Sequence, residues 1–328
     1  MKKFPCKTNI LCKVILTFCD KVSTFPTENK KLARVFLYIC EVQRATEIKR
    51  RGEERSVPWP ERLPFAYWRN AADLAVIAAN RMNDQIMNEK ENNIMKPNKK
   101  YLSFYYEDIT EVPDFYIDPK KTALLIVDMQ KHFLLKDGED AEGHKKSGTW
   151  EKWKPYFDHV EKVTIPNNKR LIDACRKHGI EVTYGRICSL KSDGTDRARV
   201  QSTFGWNNIL VPINTPNAAM VDELAPLPDE IVVNKTTDSV SLGTNYTQLL
   251  QNMGIDTVIV TGVVTDQCVA GTIRVLADQG FRIYCPEDCC AAGSKELHEQ
   301  ELRIMNVIYC TVCETDEIVD YINTLPEV

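Results

Sequence analysis

From residue 118 onward, short apolar runs alternate with segments of helical periodicity. We predict six strands, at 123–127, 180–187, 231–235, 257–263, 281–285 and 309–313. Helices are predicted at 166–178, 244–253, 269–279, 296–307 and 316–322. Strands that alternate with helices favour a mostly parallel sheet, because each crossover returns the chain to the same edge. Right-handed crossovers and the common strand order 3-2-1-4-5-6 then predict a doubly wound, six-stranded α/β fold with helices on both faces.

Residues 1–118 lack this alternation, and we predict that they form an N-terminal extension to an α/β domain at 119–328. A helix is predicted at 67–88, where apolar residues recur at helical spacing. The charged stretch at 30–55 is interpreted as solvated faces or linkers. Packing on the domain, subunit assembly and partial disorder are all open for the extension.

The amino-acid composition limits the classes of function that this chain can have. The formal net charge is −4 and the pI is about 5.9, so the chain carries no global attraction for nucleic acid or anionic membranes. Twelve cysteines scattered over a chain of ordinary globular composition indicate reduced thiols and a cytoplasmic location. Lys7 and Lys13 interrupt the apolar N-terminal stretch, so we expect no secretory signal. No segment approaches the roughly 20 apolar residues of a membrane span.

Three reactive side chains are predicted to meet at one edge of the sheet. Asp128 closes the first strand, Lys235 closes the third, and Cys268 follows the fourth. Strands one and four are neighbours at the switch point of the predicted order, where ligands bind beyond the carboxyl ends. Cys268 also falls at a helix start, whose unpaired N–H groups and dipole favour a thiolate.

These residue types can perform nucleophilic catalysis. Cys268 is predicted to attack a carbonyl carbon, with Asp128 as the base for the thiol and Lys235 holding both anions. The backbone N–H groups of Val264 and Cys268 are the predicted oxyanion hole. The outcome is hydrolysis of an amide or carbamoyl C–N bond through a thioester, without a metal. Each residue also has an ordinary alternative: a small buried cysteine, a turn-capping aspartate and a solvated lysine.

Four further residues are predicted to bind substrate, each with a structural alternative. Gln130 follows the first strand and could instead shape the turn. Arg186 suits a substrate carboxylate, because a guanidinium fork matches that geometry, although a surface salt bridge is the alternative. Phe204 and Trp206 belong to a long loop at 188–228 and either line a pocket or fix the loop.

The CTVC segment at 310–313 raises a zinc or redox alternative. Zinc ribbons use two such knuckles, and only one is present, on a predicted strand whose alternate side chains face opposite ways. We therefore predict no metal site.

Three motifs in order resemble the isochorismatase-like cysteine hydrolases: TALLIVDMQKHFL at 122–134, IVVNK at 231–235 and TGVVTDQCV at 261–269. A downstream segment, YCPEDCCA at 284–291, also matches. The resemblance covers about 119–322 and implies an Asp–Lys–Cys triad of Asp128, Lys235 and Cys268. It further implies a cis peptide between Val263 and Val264, and a dimer or tetramer.

Departures from the family pattern indicate which branch of the family this sequence resembles. Nicotinamidases carry a metal site built on Asp-x-His after the second strand, and this region reads TYGRICSL, with no histidine between His178 and His298. Vinyl-ether isochorismatases work without the nucleophilic cysteine, which this chain has. We therefore expect a metal-independent amidohydrolase, near the ureidoacrylate and N-carbamoyl branch, that acts on a small molecule without a cofactor. The alternatives are a catalytically idle scaffolding or binding subunit and a vinyl-ether hydrolase.

Overall fold

The computed structural model describes residues 94–203, 205 and 207–328. The predicted helix at 67–88 and the residues Phe204 and Trp206 lie outside the described residues. The strands are β1 (Ile94–Met95), β2 (Val112–Pro113), β3 (Thr122–Val127), β4 (Glu181–Ile187), β5 (Ser202–Thr203), β6 (Asn207–Asn208), β7 (Ile231–Lys235), β8 (Thr257–Val263), β9 (Arg282–Pro286), β10 (Cys290–Ala291) and β11 (Thr311–Cys313). The α-helices are α1 (Lys131–Leu134), α2 (Glu139–Ser147), α3 (Trp150–His159), α4 (Ile165–Lys177), α5 (Tyr246–Met253), α6 (Ala270–Asp278), α7 (Lys295–Met305) and α8 (Thr315–Ile322).

The central sheet has the predicted strand order. Its strands run β11-β9-β8-β3-β4-β7, and every neighbouring pair is parallel. Numbered by the six predicted strands, this is the order 3-2-1-4-5-6, so the doubly wound α/β prediction is confirmed. A seventh strand, β10, pairs with the end of β8 at Gly262 and Val263. Two residues carry no periodic signal, so the sequence did not indicate β10.

The sheet is buried on both faces because its strands are apolar at successive positions. Along β3, Leu124 and Ile126 pack into one core, while Ala123, Leu125 and Val127 pack into the other. This division follows from the alternation of side chains along a strand. Helices α3, α4 and α8 supply the first core, and α5, α6 and α7 supply the second. Burial on both faces is typical of parallel sheets.

Helices α2 and α3 were not predicted, and their sequences show why. Ala141 is the one buried residue of α2, so this helix lacks the apolar stripe that reveals amphipathic helices. Helix α3 contains Pro155, which normally argues against a helix interior. A π-helical segment at Val160–Thr164 connects α3 directly to α4.

Residues before the first sheet strand pack against the domain. Tyr101 is fully buried in the second core, and Phe115 and Ile117 are buried in the first. The boundary at residue 118 stays a prediction. Within the described part of the chain, no helix is long and apolar enough to cross a membrane.

Candidate active site

Asp128 turns out of the sheet directly after β3. Its backbone has φ of 53°, a left-handed conformation that Asp tolerates better than most residues. The Asp128 N–H donates to the Gly185 carbonyl at 2.8 Å, which ties the turn to β4. The carboxylate atom Oδ1 accepts a hydrogen bond from the Ile187 N–H at 2.7 Å. The side chain is therefore anchored to β4 through one of its two carboxylate oxygens.

Lys235 bridges the other two members of the predicted triad. Its Nζ lies 2.7 Å from Asp128 Oδ2 and 3.3 Å from Cys268 Sγ. A third contact, of 3.1 Å, joins Nζ to the Thr237 carbonyl. Both charged residues are almost wholly buried, at 1% exposure for Lys235 and 2% for Asp128. The three predicted residues therefore come together at the carboxyl edge of the sheet.

Gly262 allows the turn that carries Cys268 to lie close to β3. Its φ is 118°, and a Cβ at this position would lie 2.0 Å from the Val127 carbonyl oxygen. Only glycine fits such a backbone approach. The peptide between Val263 and Val264 is cis, as the family resemblance implied. A π-helical turn at Thr265–Val269 follows and contains Cys268.

Burial controls the protonation of the site. Removal from water raises the pKa of the Cys268 thiol well above its usual value, and the Asp128 carboxylate raises it further, while Lys235 opposes both. Burial likewise raises the pKa of Asp128, against the lowering effect of Lys235. Burial acts against the thiolate that a helix start favours, so the helix-start effect on Cys268 stays a prediction. The resting cysteine is a thiol beside an unusually basic carboxylate.

Two residues near Cys268 could not be found from the sequence patterns. Asp238 places a carboxylate oxygen 3.8 Å from Cys268 Sγ, and Gln201 Nε2 donates to that oxygen at 2.9 Å. Thr272 Oγ1 donates to the Cys268 carbonyl at 2.7 Å and accepts from the Val240 N–H at 3.0 Å. Neither residue ends a strand, and strand ends were the signal by which the triad was found.

Gln130 and Arg186 are both engaged with the protein. Gln130 is fully buried; its Oε1 accepts from the Ile187 N–H at 2.9 Å, and its Nε2 donates to the carbonyls of Ile187 and Ala218 at 3.0 and 3.2 Å. Arg186 donates to Asn234 Oδ1 at 2.7 Å and to the Ala218 carbonyl at 3.3 Å. Neither lines the cavity above the triad. Their substrate-binding roles stay predictions, and their contacts favour support of the loops around Asp128.

A cavity of about 520 Å³ opens above the triad and exposes Asp128 and Cys268 at its base. Its volume suits a small molecule. The walls combine aromatic, acidic and imidazole side chains, together with Val264 and two asparagines. These wall residues include Phe133, Trp153, Tyr156, Asp140, Asp266, His132, His144, Asn207 and Asn208.

A series of polar side-chain contacts supports the turn that carries Cys268. Thr265 Oγ1 lies 2.8 Å from His298 Nδ1, and His298 Nε2 lies 3.3 Å from Glu287 Oε2. Lys100 donates to Glu287 at 3.1 Å. Burial would raise the pKa of Glu287, but its bonds to His298 and Lys100 prevail and lower it to about 2. These contacts connect Lys100, which precedes β3, to the turn that carries Cys268.

The CTVC cysteines lie among other thiols in the core. Cys310 and Cys313 are buried, and Cys285 Sγ lies 3.9 Å from Cys290 Sγ. All eight described cysteines are free thiols. Among the described residues, no group of three His, Cys, Asp or Glu side chains is placed to hold a metal ion.

Comparison with known proteins places these features in a family. Residues 122–317 match the isochorismatase domain. The chain is 28% identical to an N-carbamoylsarcosine amidase from Arthrobacter sp. The matched region covers 50% of this chain and 62% of that protein. It is 29% identical to the ureidoacrylate amidohydrolase RutB from Agrobacterium fabrum, over 48% of this chain and 70% of that one.

A solved structure gives the same result for the fold. The cysteine hydrolase from Pseudomonas syringae pv. phaseolicola superposes with a TM-score of 0.54 at 22% identity, covering 64% of this chain and 96% of that one. The domain match, which spans more than half of the chain, confirms the resemblance inferred from the three motifs. The chain belongs to the isochorismatase family of hydrolases.

Proposed function

We propose that the chain hydrolyses a C–N bond of a small amide, ureido or carbamoyl compound through a thioester on Cys268, without a metal. One observation carries the proposal: Lys235 Nζ contacts both the Asp128 carboxylate and the Cys268 sulfur at the base of a substrate-sized cavity. A nucleophile, a base and a cation that orients both are the parts of covalent acyl transfer.

The reaction begins with a proton transfer inside the triad. Asp128 takes the thiol proton as Cys268 Sγ attacks the substrate carbonyl carbon. The new C–S bond places a negative charge on the carbonyl oxygen, and Lys235 stays beside Asp128 throughout. A raised carboxyl pKa makes this transfer easier, because the base is then closer in basicity to the thiol it deprotonates.

The oxyanion is bound by the backbone N–H groups of Val264 and Cys268. Both belong to the turn that begins at the cis peptide, and both residues line the cavity. Removing one oxyanion donor from an acyl-transfer enzyme costs about 10²–10³ in kcat. Backbone donors in a turn fixed by Gly262 need no rearrangement as the charge develops.

Collapse of the tetrahedral intermediate breaks the C–N bond. Protonated Asp128 delivers its proton to the leaving nitrogen, so an amine or ammonia departs and the acyl or carbamoyl thioester remains. Water then attacks the thioester carbon and loses a proton to Asp128. The C–S bond breaks, and the proton passes to Cys268 Sγ, which restores the resting thiol.

The relatives support this class of reaction. Their names describe an N-carbamoylsarcosine amidase and a ureidoacrylate amidohydrolase. Both names specify cleavage at an amide-type nitrogen, which matches the chemistry available to Asp128, Lys235 and Cys268. Assembly into a dimer or tetramer and a cytoplasmic location stay predictions.

The test combines turnover with intact-protein mass spectrometry on a panel of small ureas, carbamoyl amines and primary amides. Wild type is compared with Cys268→Ala and with Cys175→Ala, a control that removes another buried thiol, on α4. We expect amine or ammonia release and an acyl adduct in wild type and in Cys175→Ala, and neither in Cys268→Ala. Turnover that survives Cys268→Ala would favour the vinyl-ether alternative. An inert wild type with every compound would favour the binding subunit.

A further inference from the structure

The described part of the cavity above the triad offers no lysine or arginine to an anionic substrate. Among the described residues that line it, none is lysine or arginine. Lys235 lies beneath the cavity and is 1% exposed. An ammonium has three donors, and those of Lys235 point to Asp128, Cys268 and Thr237. It therefore has no donor left for a substrate carboxylate.

Arg186, the residue predicted to bind a substrate carboxylate, also faces elsewhere. Its guanidinium donates to Asn234 and to the Ala218 carbonyl, and it does not line the cavity. Along β4 the neighbouring Ile187 is the residue that reaches the cavity. Successive side chains of a strand point to opposite faces, which fits the direction of Arg186 away from the cavity.

Negative and electron-rich groups dominate the walls instead. Asp266 lines the cavity, and its Oδ1 atom is buried without a hydrogen-bond partner among the described residues. Asp238 adds a carboxylate 3.8 Å from Cys268 Sγ. Tyr156 is 5% exposed, and its ring lines the cavity beside three carboxylates, those of Asp128, Asp140 and Asp266. Its hydroxyl makes no hydrogen bond with a described residue.

The two histidines that line the cavity, His132 and His144, do not offset the negative charge of its walls. Burial lowers the pKa of His132, which favours the neutral ring at physiological pH, and its Nδ1 lies 3.1 Å from Glu139. His144 Nδ1 lies 2.9 Å from Thr149 Oγ1, and its Nε2 lies 3.7 Å from Asp140. Both nitrogens of His144 thus face groups of the protein.

We propose that the substrate carries a positively charged amine or guanidinium beyond its scissile carbonyl, held by Asp266 and the aromatic walls, and that compounds with a carboxylate there are rejected. This inference rests on the proposed function, because it specifies the substrate of the same cavity. Aromatic faces such as those of Tyr156 and Phe133 attract cations, and an unpaired carboxylate gains its partner when the cation binds. A carboxylate would instead be desolvated beside Asp266 and Asp238 with no compensating charge.

Three ureas of similar size separate the possibilities: 2-aminoethylurea is a cation, propylurea is neutral and N-carbamoylglycine is an anion. Their affinities for Cys268→Ala are measured by titration calorimetry, since this variant keeps the cavity and cannot turn them over. We expect the cation to bind about tenfold more tightly than the neutral urea, and the anion more weakly than both. Wild-type kcat/KM should follow the same order.

The variant Asp266→Asn tests the assignment within the cavity. It keeps the shape of the side chain and removes one charge, so the cation-to-neutral ratio of kcat/KM should fall about tenfold. Asp278→Asn is the control, because it removes the same charge from an exposed position at the far end of α6 and should leave that ratio unchanged.

The outcomes separate this inference from the proposed function. An anion that binds as tightly as the cation, or no measurable binding of any urea, overturns the charge preference. Cys268-dependent hydrolysis of N-carbamoylglycine in preference to 2-aminoethylurea would leave the proposed function standing and overturn the preference. If the cation binds best and nothing is hydrolysed, the charge preference stands and the hydrolase mechanism fails.

Discussion

Replacing Lys235 with methionine tests whether the triad is a coupled buried ion pair. Lys235 and Asp128 are 1% and 2% exposed, and their charged atoms lie 2.7 Å apart. Methionine has a similar length, so packing changes little while the charge is lost. Removing one partner from a buried pair costs about 3–5 kcal/mol, because the other charge stays buried without compensation. We expect Lys235→Met to lower the free energy of unfolding by that amount at neutral pH.

The same reasoning predicts how the stability loss of Lys235→Met changes with pH. Without Lys235, burial of Asp128 is opposed only by its hydrogen bonds with Ile187 and Cys268, so its folded pKa rises further above the unfolded value. A raised carboxyl pKa stabilises the fold at low pH, and that stability is lost as pH rises through the folded pKa. The destabilisation of Lys235→Met should therefore shrink as the solution is acidified.

Urea unfolding followed by tryptophan fluorescence measures the effect, at pH values of about 5 and 7 and constant protein concentration. Asp128→Asn in the Lys235→Met background should recover much of the loss, since no charge then remains buried. Lys169→Met is the control: Lys169 and Asp173 form an ion pair on α4 with side chains 44% and 55% exposed, and such pairs contribute about 0–1 kcal/mol. A loss below about 1 kcal/mol at pH 7, or one that does not change with pH, would refute the argument.

Three further predictions concern the turn, the base and the supporting polar contacts. Gly262→Ala should abolish soluble folded protein or activity, because its Cβ would lie 2.0 Å from the Val127 carbonyl oxygen; normal expression with full turnover would contradict this. The apparent pKa of the acid limb of kcat/KM should lie above the ordinary carboxyl value of about 4, because Asp128, the proposed base, has a raised pKa; pH–rate profiles measure it. Glu287, with its pKa lowered from 4.5 to about 2, contributes stability above pH 4.5 that is lost as pH falls through about 2. Glu287→Gln should cost up to about 3 kcal/mol at pH 7 and remove this acid dependence, as measured by urea unfolding at several pH values.

Much of the fold could be predicted because the sheet strands are continuous apolar runs. β3, β7 and β8 each begin within one residue of the predicted position, and the strand order followed from general rules of handedness. The short elements could not be predicted. Helix α2 has a single buried residue and β10 has two residues, so neither carries a periodic pattern.

The residues of the candidate site also separate into those that the sequence pattern could predict and those that it could not. Asp128, Lys235 and Cys268 could be found because each lies at or just beyond a strand end, and parallel strands bring those ends together. Asp238 and Tyr156 could not, because Asp238 approaches Cys268 from a loop and Tyr156 lines the cavity from the unpredicted helix α3. Arg186 illustrates the limit of residue-type reasoning. Its chemistry suits a carboxylate, but its place on the strand directs it to Asn234.

The raised pKa values of Asp128 and Cys268 are compatible with the proposed mechanism, because proton transfer within the triad leaves its net charge unchanged. At rest the Lys235 ammonium balances one negative charge, on Asp128, and the thiol is neutral. Loss of the thiol proton to solvent would leave two buried anions beside one cation. Transfer of that proton to Asp128 moves the negative charge to sulfur, where Lys235 Nζ lies 3.3 Å away. The free-energy cost of forming the nucleophile is then set by the difference between the two pKa values. Burial raises both, so a buried site can keep an inert thiol at rest and still form the thiolate when a substrate arrives.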